Sequence, residues 1–407
     1  MDNDVVVTGT GLCCHMGDDL PAILEKMRAG QSEPFHVYPE AAELQARCTI
    51  VGRYPGDLSD AALGIDKLIG RFMGRSARLA LRASQKALEQ SGCGTDELGV
   101  VFGSGTGDVD THREIGKKLE QSKNMKKVSP FVVPKIMAST VSANLCNVLQ
   151  AKGPSCSVTA ACAGGAWNIA LAAMLIQNGS AECILAGGVE TCDVNFHSGF
   201  DSMRAYNGDD NERPDIASRP YAADRNGFIF SDGVGALVLE KRKSAVERGA
   251  AIVGVVRGYG MSSDGEGQMV TPSADGAYRA MVAALHSASL KPEQVDYINT
   301  HGTSTPVGDI GEVEAIRRLM RDRKVPYSST KGYTGHTVTA AGAIEAVFTL
   351  GMLQGGWVAP CVHIETLEPK LSDFPPIMRP LSAPIQIAMS NSFGFGGTNV
   401  SLLFSRS

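Results

Sequence analysis

The sequence predicts an α/β fold in stacked layers, built as one large duplicated unit, and two observations carry that prediction. Short apolar strand candidates alternate with longer helical patterns along the whole chain. A weak internal repeat relates two of the helices. Ala163–Gly179 reads AGGAWNIALAAMLIQNG and Ala340–Gly356 reads AAGAIEAVFTLGMLQGG; without gaps they share the leading Ala, a Gly-Ala pair and a closing Gln-x-Gly. Both are apolar on nearly every face, as helices buried on all sides are. Chance likeness between two Ala- and Gly-rich helices is the competing explanation. Taken as a repeat, the pattern divides the chain into halves, 1–250 and 251–407, packed with their core helices together.

The strand candidates fall at 5–11 (VVVTGTG), 98–105 (LGVVFGSG), 182–190 (ECILAGGVE) and 235–242 (GALVLEKR). The same style resumes at 251–260 (AIVGVVRGYG), 295–302 (VDYINTHG) and 385–397 (IQIAMSNSFGFGG). The polar, turn-rich segment 207–220, NGDDNERPDIASRP, reads as a surface loop.

Composition narrows the function classes. The 407 residues are 43% hydrophobic and 20% charged with a net charge of −5, which gives no global nucleic-acid or membrane signature. The acidic N-terminus runs straight into a strand and has neither a signal-peptide nor a transit-peptide pattern. No apolar segment reads as uninterrupted enough to span a bilayer. Ten scattered cysteines without a CxxC pair argue against a disulfide framework or zinc site and for a reducing cytoplasm. Cys13-Cys14-His15 is a poor metal site, since adjacent residues rarely share one ion.

Cys162 is the first catalytic candidate, in VTAACAGGAWNIA. It closes a strand-like run, CSVTAA, and precedes one of the two repeat helices. A thiol at a helix N-terminus faces unpaired N–H groups and the positive end of the dipole, which lower its pKa from roughly 8.5. The competing reading is a buried, inert cysteine packed as a small hydrophobe. Two histidines favour chemistry. His301 ends a strand-like run, and His336 lies just ahead of the second repeat helix, so related halves would bring it to Cys162. His36, His112, His197, His286 and His363 have no comparable setting. NSFGFGGTN from Asn391 crowds glycines around two phenylalanines, exposing backbone N–H groups of the kind an oxyanion hole needs. The VTGTG and GSGTGD turns lack the rest of a dinucleotide-binding fingerprint.

Along essentially its whole length the sequence resembles the β-ketoacyl-acyl-carrier-protein synthases of the KAS I/KAS II group, elongating ketosynthases of the thiolase superfamily. The motifs are TAACAGG around Cys162, HGTSTPVGD from His301, TKGYTGH from Thr330 and NSFGFGGTN from Asn391. Supporting matches are DKLIGRFM, SRPYAADRNGF and GYGMSSDG. The resemblance implies a thiolase-like, duplicated αβαβα five-layer fold, normally homodimeric. It implies that Cys162 takes the acyl chain as a thioester, that His301 and His336 donate hydrogen bonds to the malonyl thioester, and that the N–H groups of Cys162 and Phe395 form the oxyanion hole. It further implies that Lys331 holds the site through an ion pair with Glu312, with Asp309 in that network. Thr303 and Thr305 match positions that bind the phosphopantetheine arm, and Phe395 matches a gate. Phe200, Phe393 and Thr106 match substrate-pocket positions. No bound cofactor or metal is expected; the 4′-phosphopantetheine arrives on the acyl carrier protein.

The intact Cys–His–His set separates this chain from degradative thiolases, priming synthases and inactive chain-length partners, although a non-catalytic scaffold subunit remains the alternative of another class. AGGAW after Cys162, Gly332-Tyr333, Thr337-Val338-Thr339, Thr106, Arg204 and Tyr206 depart from the common pattern around the substrate. They raise a specialised aryl-polyene or polyketide pathway beside ordinary fatty-acid elongation. For docking an acidic carrier protein the resemblance points to two basic clusters, Lys67, Arg71 and Arg75, and Lys123, Lys126 and Lys127. The partner copy is either this chain or a ketosynthase paralogue.

Overall fold

Val5–Cys14 is buried at every position, which is why it reads as a continuous apolar run and not as an alternating one. It is β1 of a ten-stranded sheet in a computed structural model that describes residues 4–266 and 269–407; the first three residues of the acidic N-terminus lie outside them. The first half contributes β1, β2 (Gly99–Ser104), β3 (Ser155–Cys156), β4 (Cys183–Glu190) and β5 (Gly233–Lys241). The second contributes β6 (Gly254–Ser263), β7 (Tyr297–Asn299), β8 (Tyr327–Ser328), β9 (Ile387–Gly394) and β10 (Thr398–Ser405).

The strand order is β8-β7-β9-β10-β6-β1-β5-β4-β2-β3. Within the first half β1, β5 and β4 pair antiparallel, and β4, β2 and β3 pair parallel. Within the second half β6, β10 and β9 pair antiparallel, and β9, β7 and β8 parallel. The two sets therefore share one topology. They join where Val5–Val7 runs antiparallel to Gly254–Val256.

Helices supply the other layers: α1 (Arg75–Ser91), α2 (Thr140–Leu149), α3 (Gly164–Gln177), α4 (Ala274–Ser287), α5 (Pro306–Met320) and α6 (Ala341–Gly355). The repeat helices α3 and α6 pack on each other and on strands of both halves, while α1 and α4 cover the outer faces. This is the duplicated five-layer αβαβα arrangement that the resemblance implies. Val338–Gly355 is long and apolar enough to cross a membrane by length and composition, but 83% of it is buried inside the fold as a core helix.

The backbone carries the repeat further than the side chains do. Ala161 and Val338 both adopt a left-handed φ of 43°, and they stand at the same offset as Ala163 and Ala340. A left-handed conformation is costly for a β-branched residue such as Val338, so its recurrence marks a turn that both halves need before their central helix.

Three expectations change. Of CSVTAA only Cys156 lies in a strand, Ser155–Cys156, because the chain must leave the sheet to make the turn at Ala161. Thr398–Ser405 forms a long strand that the Gly-rich motif before it obscured. The segment 207–220 is no simple surface loop. Asn207, Asp210 and Arg219 are buried in one network, with Asn207 donating to Asp210 at 2.6 Å and Arg219 paired to Asp210 at 2.6 Å. Cys13 and Cys14, on opposite faces of β1, pack into different cores.

Candidate active site

The sharp turn at Ala161 brings Cys162 out of the sheet just ahead of α3. His301 follows β7. His336 follows the short helix Lys331–Thr334 and Gly335, and backbone hydrogen bonds stitch it to the strand-like run before β5. Its N–H donates to the Ile229 carbonyl at 2.7 Å, and its own carbonyl accepts from Ser231 N–H at 3.1 Å. Three distant segments thus meet. His336 Nε2 lies 3.0 Å from Cys162 Sγ, and the two imidazoles stand edge to face with centroids 5.3 Å apart. The N–H groups of Phe395 and of Cys162 itself point at the sulfur. β9 can come this close only because residue 394 is glycine: a Cβ there would sit 3.1 Å from Cys162 N and 2.7 Å from Thr398 Oγ1.

A cavity of about 420 Å³ opens onto this group, lined by Cys162, His301, His336, Thr303, Thr305 and Phe393, with Phe200 and Phe395 also on its wall. Burial governs the charges. Both imidazoles are held well below the usual histidine range, desolvation first and the Lys331 charge second, so both are neutral at pH 7. The expected lowering of the Cys162 pKa does not hold in the open site. Desolvation pushes the thiol up to about 12, outweighing Lys331 and the two N–H groups. Among the described residues these three side chains also form the one group with metal-ligand spacing, their ligand atoms lying within 4.8 Å of one another. The Lys331 ammonium, 3.4 Å from His301 Nδ1, opposes a cation there.

The sequence matches the beta-ketoacyl synthase N-terminal domain over residues 2–245 and its C-terminal domain over residues 253–365. It is 38% identical over 407 residues to 3-oxoacyl-acyl-carrier-protein synthase 1 of Haemophilus influenzae, covering 98% of each chain. The chain belongs to the β-ketoacyl synthase family. It is also 36% identical to 3-oxoacyl-acyl-carrier-protein synthase 2 of Vibrio cholerae, covering 99% of each. A β-ketoacyl synthase structure from Burkholderia phymatum superposes with a TM-score of 0.93 at 32% identity and 99% coverage of both chains. The protein is therefore a ketosynthase, an acyltransferase with the thiolase-like fold.

Within this ketosynthase, several supporting residues stand elsewhere than expected. Lys331 pairs with Glu345, not with Glu312; both partners are almost wholly buried. Lys331 also donates to His301 Nδ1, which leaves the His301 proton on Nε2, facing the cavity. Glu312 instead accepts the N–H groups of His301 at 2.9 Å and Gly302 at 2.8 Å, plus the Asn391 amide at 3.0 Å. It fixes the backbone on which His301 sits. Glu345 gave no sequence signal because it is the one charged residue inside an otherwise largely apolar helix without a motif of its own.

Asp309 does not line the cavity. It accepts from Tyr221 N–H at 3.0 Å and pairs with Arg225 at 3.1 Å, tying the start of α5 to the loop before β5. Thr106 also turns away, donating to Glu190 at 3.1 Å. Glu190, buried at the end of β4, was not singled out from the sequence. It also accepts Gly105 N–H at 3.1 Å and meets the hydroxyl of Thr339, whose Oγ1 lies 3.3 Å from the Ala161 carbonyl. Thr303 and Thr305 hydroxyls are 2.9 Å apart. Rings crowd Cys162: Phe200 lies 5.4 Å from Phe228 and 6.0 Å from Phe395, Phe196 lies 4.9 Å from Phe200, and Tyr206 stacks on Phe230.

The two basic clusters differ in kind. Lys67, Arg71, Lys123, Lys126 and Lys127 are exposed. Arg71 stacks 4.4 Å over the Phe131 ring, joining its cluster to the neighbourhood of the second. Arg75 is committed inward, to an ion pair with fully buried Asp232. That carboxylate also accepts the N–H groups of Tyr54 and Cys192, so Arg75 serves the fold, with only part of its side chain left exposed.

Proposed function

We propose that the chain is a 3-oxoacyl-acyl-carrier-protein synthase in which Cys162 carries the growing acyl chain. The 3.0 Å contact between Cys162 Sγ and His336 Nε2 carries this reading. The pair shares one proton, so the sulfur attacks an acyl thioester while that proton passes to the departing pantetheine thiol. Malonyl thioester then enters the same cavity. Loss of CO2 moves an electron pair onto the thioester oxygen, which the His301 Nε2–H and His336 stabilise as an enolate. The enolate carbon attacks the Cys162 thioester, and the N–H groups of Cys162 and Phe395 hold the tetrahedral oxyanion. That attack forms the carbon–carbon bond; collapse of the tetrahedral species breaks the Cys162 C–S bond and releases 3-oxoacyl-carrier protein, and the Cys162 thiolate takes up a proton from water. The intact set of groups argues against a non-catalytic scaffold.

The same reading makes Thr303 and Thr305 partners of the phosphopantetheine arm, Phe395 the gate, and Phe200 and Phe393 pocket walls. The two halves, 1–250 and 251–407, each supply part of the chemistry. A second copy fits beside β3, the open edge of the sheet where Ser155 is exposed, whereas β8 at the other end is buried. A cytoplasmic location accords with carrier-protein substrates.

Purified chain supplied with malonyl-carrier protein and a panel of acyl-carrier proteins tests both activity and acyl preference. Condensation of saturated chains is the expected fatty-acid activity. The ring cluster around Cys162 favours flat, conjugated chains as a second reading, because aromatic faces stack on planar groups. Turnover of polyenoyl chains no better than saturated ones of equal length sinks that second reading, and no condensation with any chain sinks the first. Charge reversal of Arg71 and Lys126 should raise the KM for an acidic carrier protein with kcat little changed, and flatten its salt dependence. Steady-state kinetics at two ionic strengths checks this.

A further inference from the structure

All ten cysteines are free, and for eight of them burial raises the thiol pKa. Two form a pair of their own. Cys93, just past the end of α1, and Cys183, the first residue of β4, place their sulfur atoms 3.5 Å apart, and both are only half-buried. Neither lines the catalytic cavity.

We propose that Cys93 and Cys183 are a peroxide-reactive thiol pair that closes to a reversible disulfide. The geometry makes this a short step. A disulfide needs its sulfurs about 2.05 Å apart, and side-chain rotation at two half-buried positions covers the remaining distance more readily than a backbone shift would. The surroundings fit the order of events. Cys183 donates its thiol proton toward the Cys93 sulfur and the Ser91 hydroxyl lies beside it, which draws Cys93 down to about 7 and pushes Cys183 up. The charged groups facing the pair are Glu240 and Arg248, which neutralise each other in an ion pair. The hydrogen bond from Cys183 therefore favours Cys93 as the thiolate of the pair, with Cys183 holding its proton.

The chemistry balances with a peroxide as the oxidant. The Cys93 thiolate attacks one peroxide oxygen, the O–O bond breaks, and the leaving hydroxide takes up a proton as water. Cys93 is then a sulfenic acid. Cys183 attacks that sulfur, the S–S bond forms as the S–O bond breaks, and a second water leaves. Two thiols have been oxidised and one peroxide reduced, and a dithiol reductant reverses the step.

Stoichiometric hydrogen peroxide added to the full chain, followed by alkylation of free thiols and peptide mapping, tests this. The expected result is a mass loss of about 2 Da with Cys93 and Cys183 in one linked peptide pair, reversed by dithiothreitol. Cys93→Ser and Cys183→Ser should each abolish the link while leaving condensation intact. Oxidation of Cys162 ahead of the pair overturns the proposal, as does a Cys93 that goes on to sulfinic acid without bridging. Mapping of the unmutated chain decides the matter even if a serine variant misfolds.

Discussion

Cys162→Ala should abolish condensation, with kcat falling on the order of 10⁴-fold or more while the protein stays folded. No other thiol can replace it. It is the one cysteine on the cavity wall, 3.0 Å from His336 and under two backbone N–H groups. Alanine removes one sulfur from a site that otherwise holds its shape, since the turn at Ala161 and the backbone contacts of His336 do not involve that sulfur. The donors for enolate formation remain, so the variant should still release CO2 from malonyl-carrier protein. Separate assays of CO2 release and 3-oxoacyl product check both halves of the expectation. Loss of CO2 release together with condensation would move Cys162 into the decarboxylation step and contradict the assignment to His301 and His336.

Glu345→Gln should be the most damaging change outside the residues that touch substrate. It leaves the Lys331 ammonium buried without its counter-charge, and removing one partner of a buried pair costs about 3–5 kcal/mol. Denaturant titration measures that loss. Activity should fall as well, because Lys331 holds the Nδ1 side of His301 and so keeps the donor proton on Nε2. Glu312→Gln separates the two carboxylates. An amide oxygen can still accept one of the His301 and Gly302 N–H groups but not hold both as the carboxylate does. Its effect should therefore fall on kcat through a misplaced His301, leaving the Lys331–Glu345 pair in place. A larger stability loss for Glu312→Gln than for Glu345→Gln would restore the pairing suggested by the sequence motif.

That reversal shows where sequence reading stops. Glu312 and Lys331 belong to recognisable motifs, HGTSTPVGD with its extension and TKGYTGH, whereas Glu345 lies in an Ala-rich helix without a motif of its own. Which carboxylate meets the lysine depends on how α6 is rotated against the loop after β8. The packing of two core helices sets that rotation, and no spacing along the chain encodes it. The ion pair of Arg75 was hidden for a similar reason. At helical spacing from Lys67 and Arg71 it resembles one basic face, but its contact is Asp232, far along the chain and fully buried. Asp309 and Thr106 sit in the right motifs and turn toward protein partners instead of the cavity.

The fold was the more legible part. Strand candidates and repeat helices are local patterns of apolar residues, and hydrophobic burial converts such patterns into layers with little dependence on detail. Within the large sheet only β10 and β8 escaped notice, β8 because it is two residues long, and β3 is shorter than the strand-like run around it. The three side chains that meet at the cavity were also legible as candidates, since each has a distinct backbone setting: a turn before a buried helix for Cys162, a strand end for His301, a glycine-flanked loop for His336.

By itself, then, the sequence determined the layered α/β architecture, its repeat and the candidate groups that meet at the cavity, because periodicity and motif are properties of neighbouring residues. Only the tertiary structure decided which charges neutralise each other, that Cys162 rests as a thiol with its pKa pushed up to about 12, and that Cys93 and Cys183 stand side by side. Those outcomes depend on desolvation and on distances between residues remote in the chain, and both exist only once the core has closed.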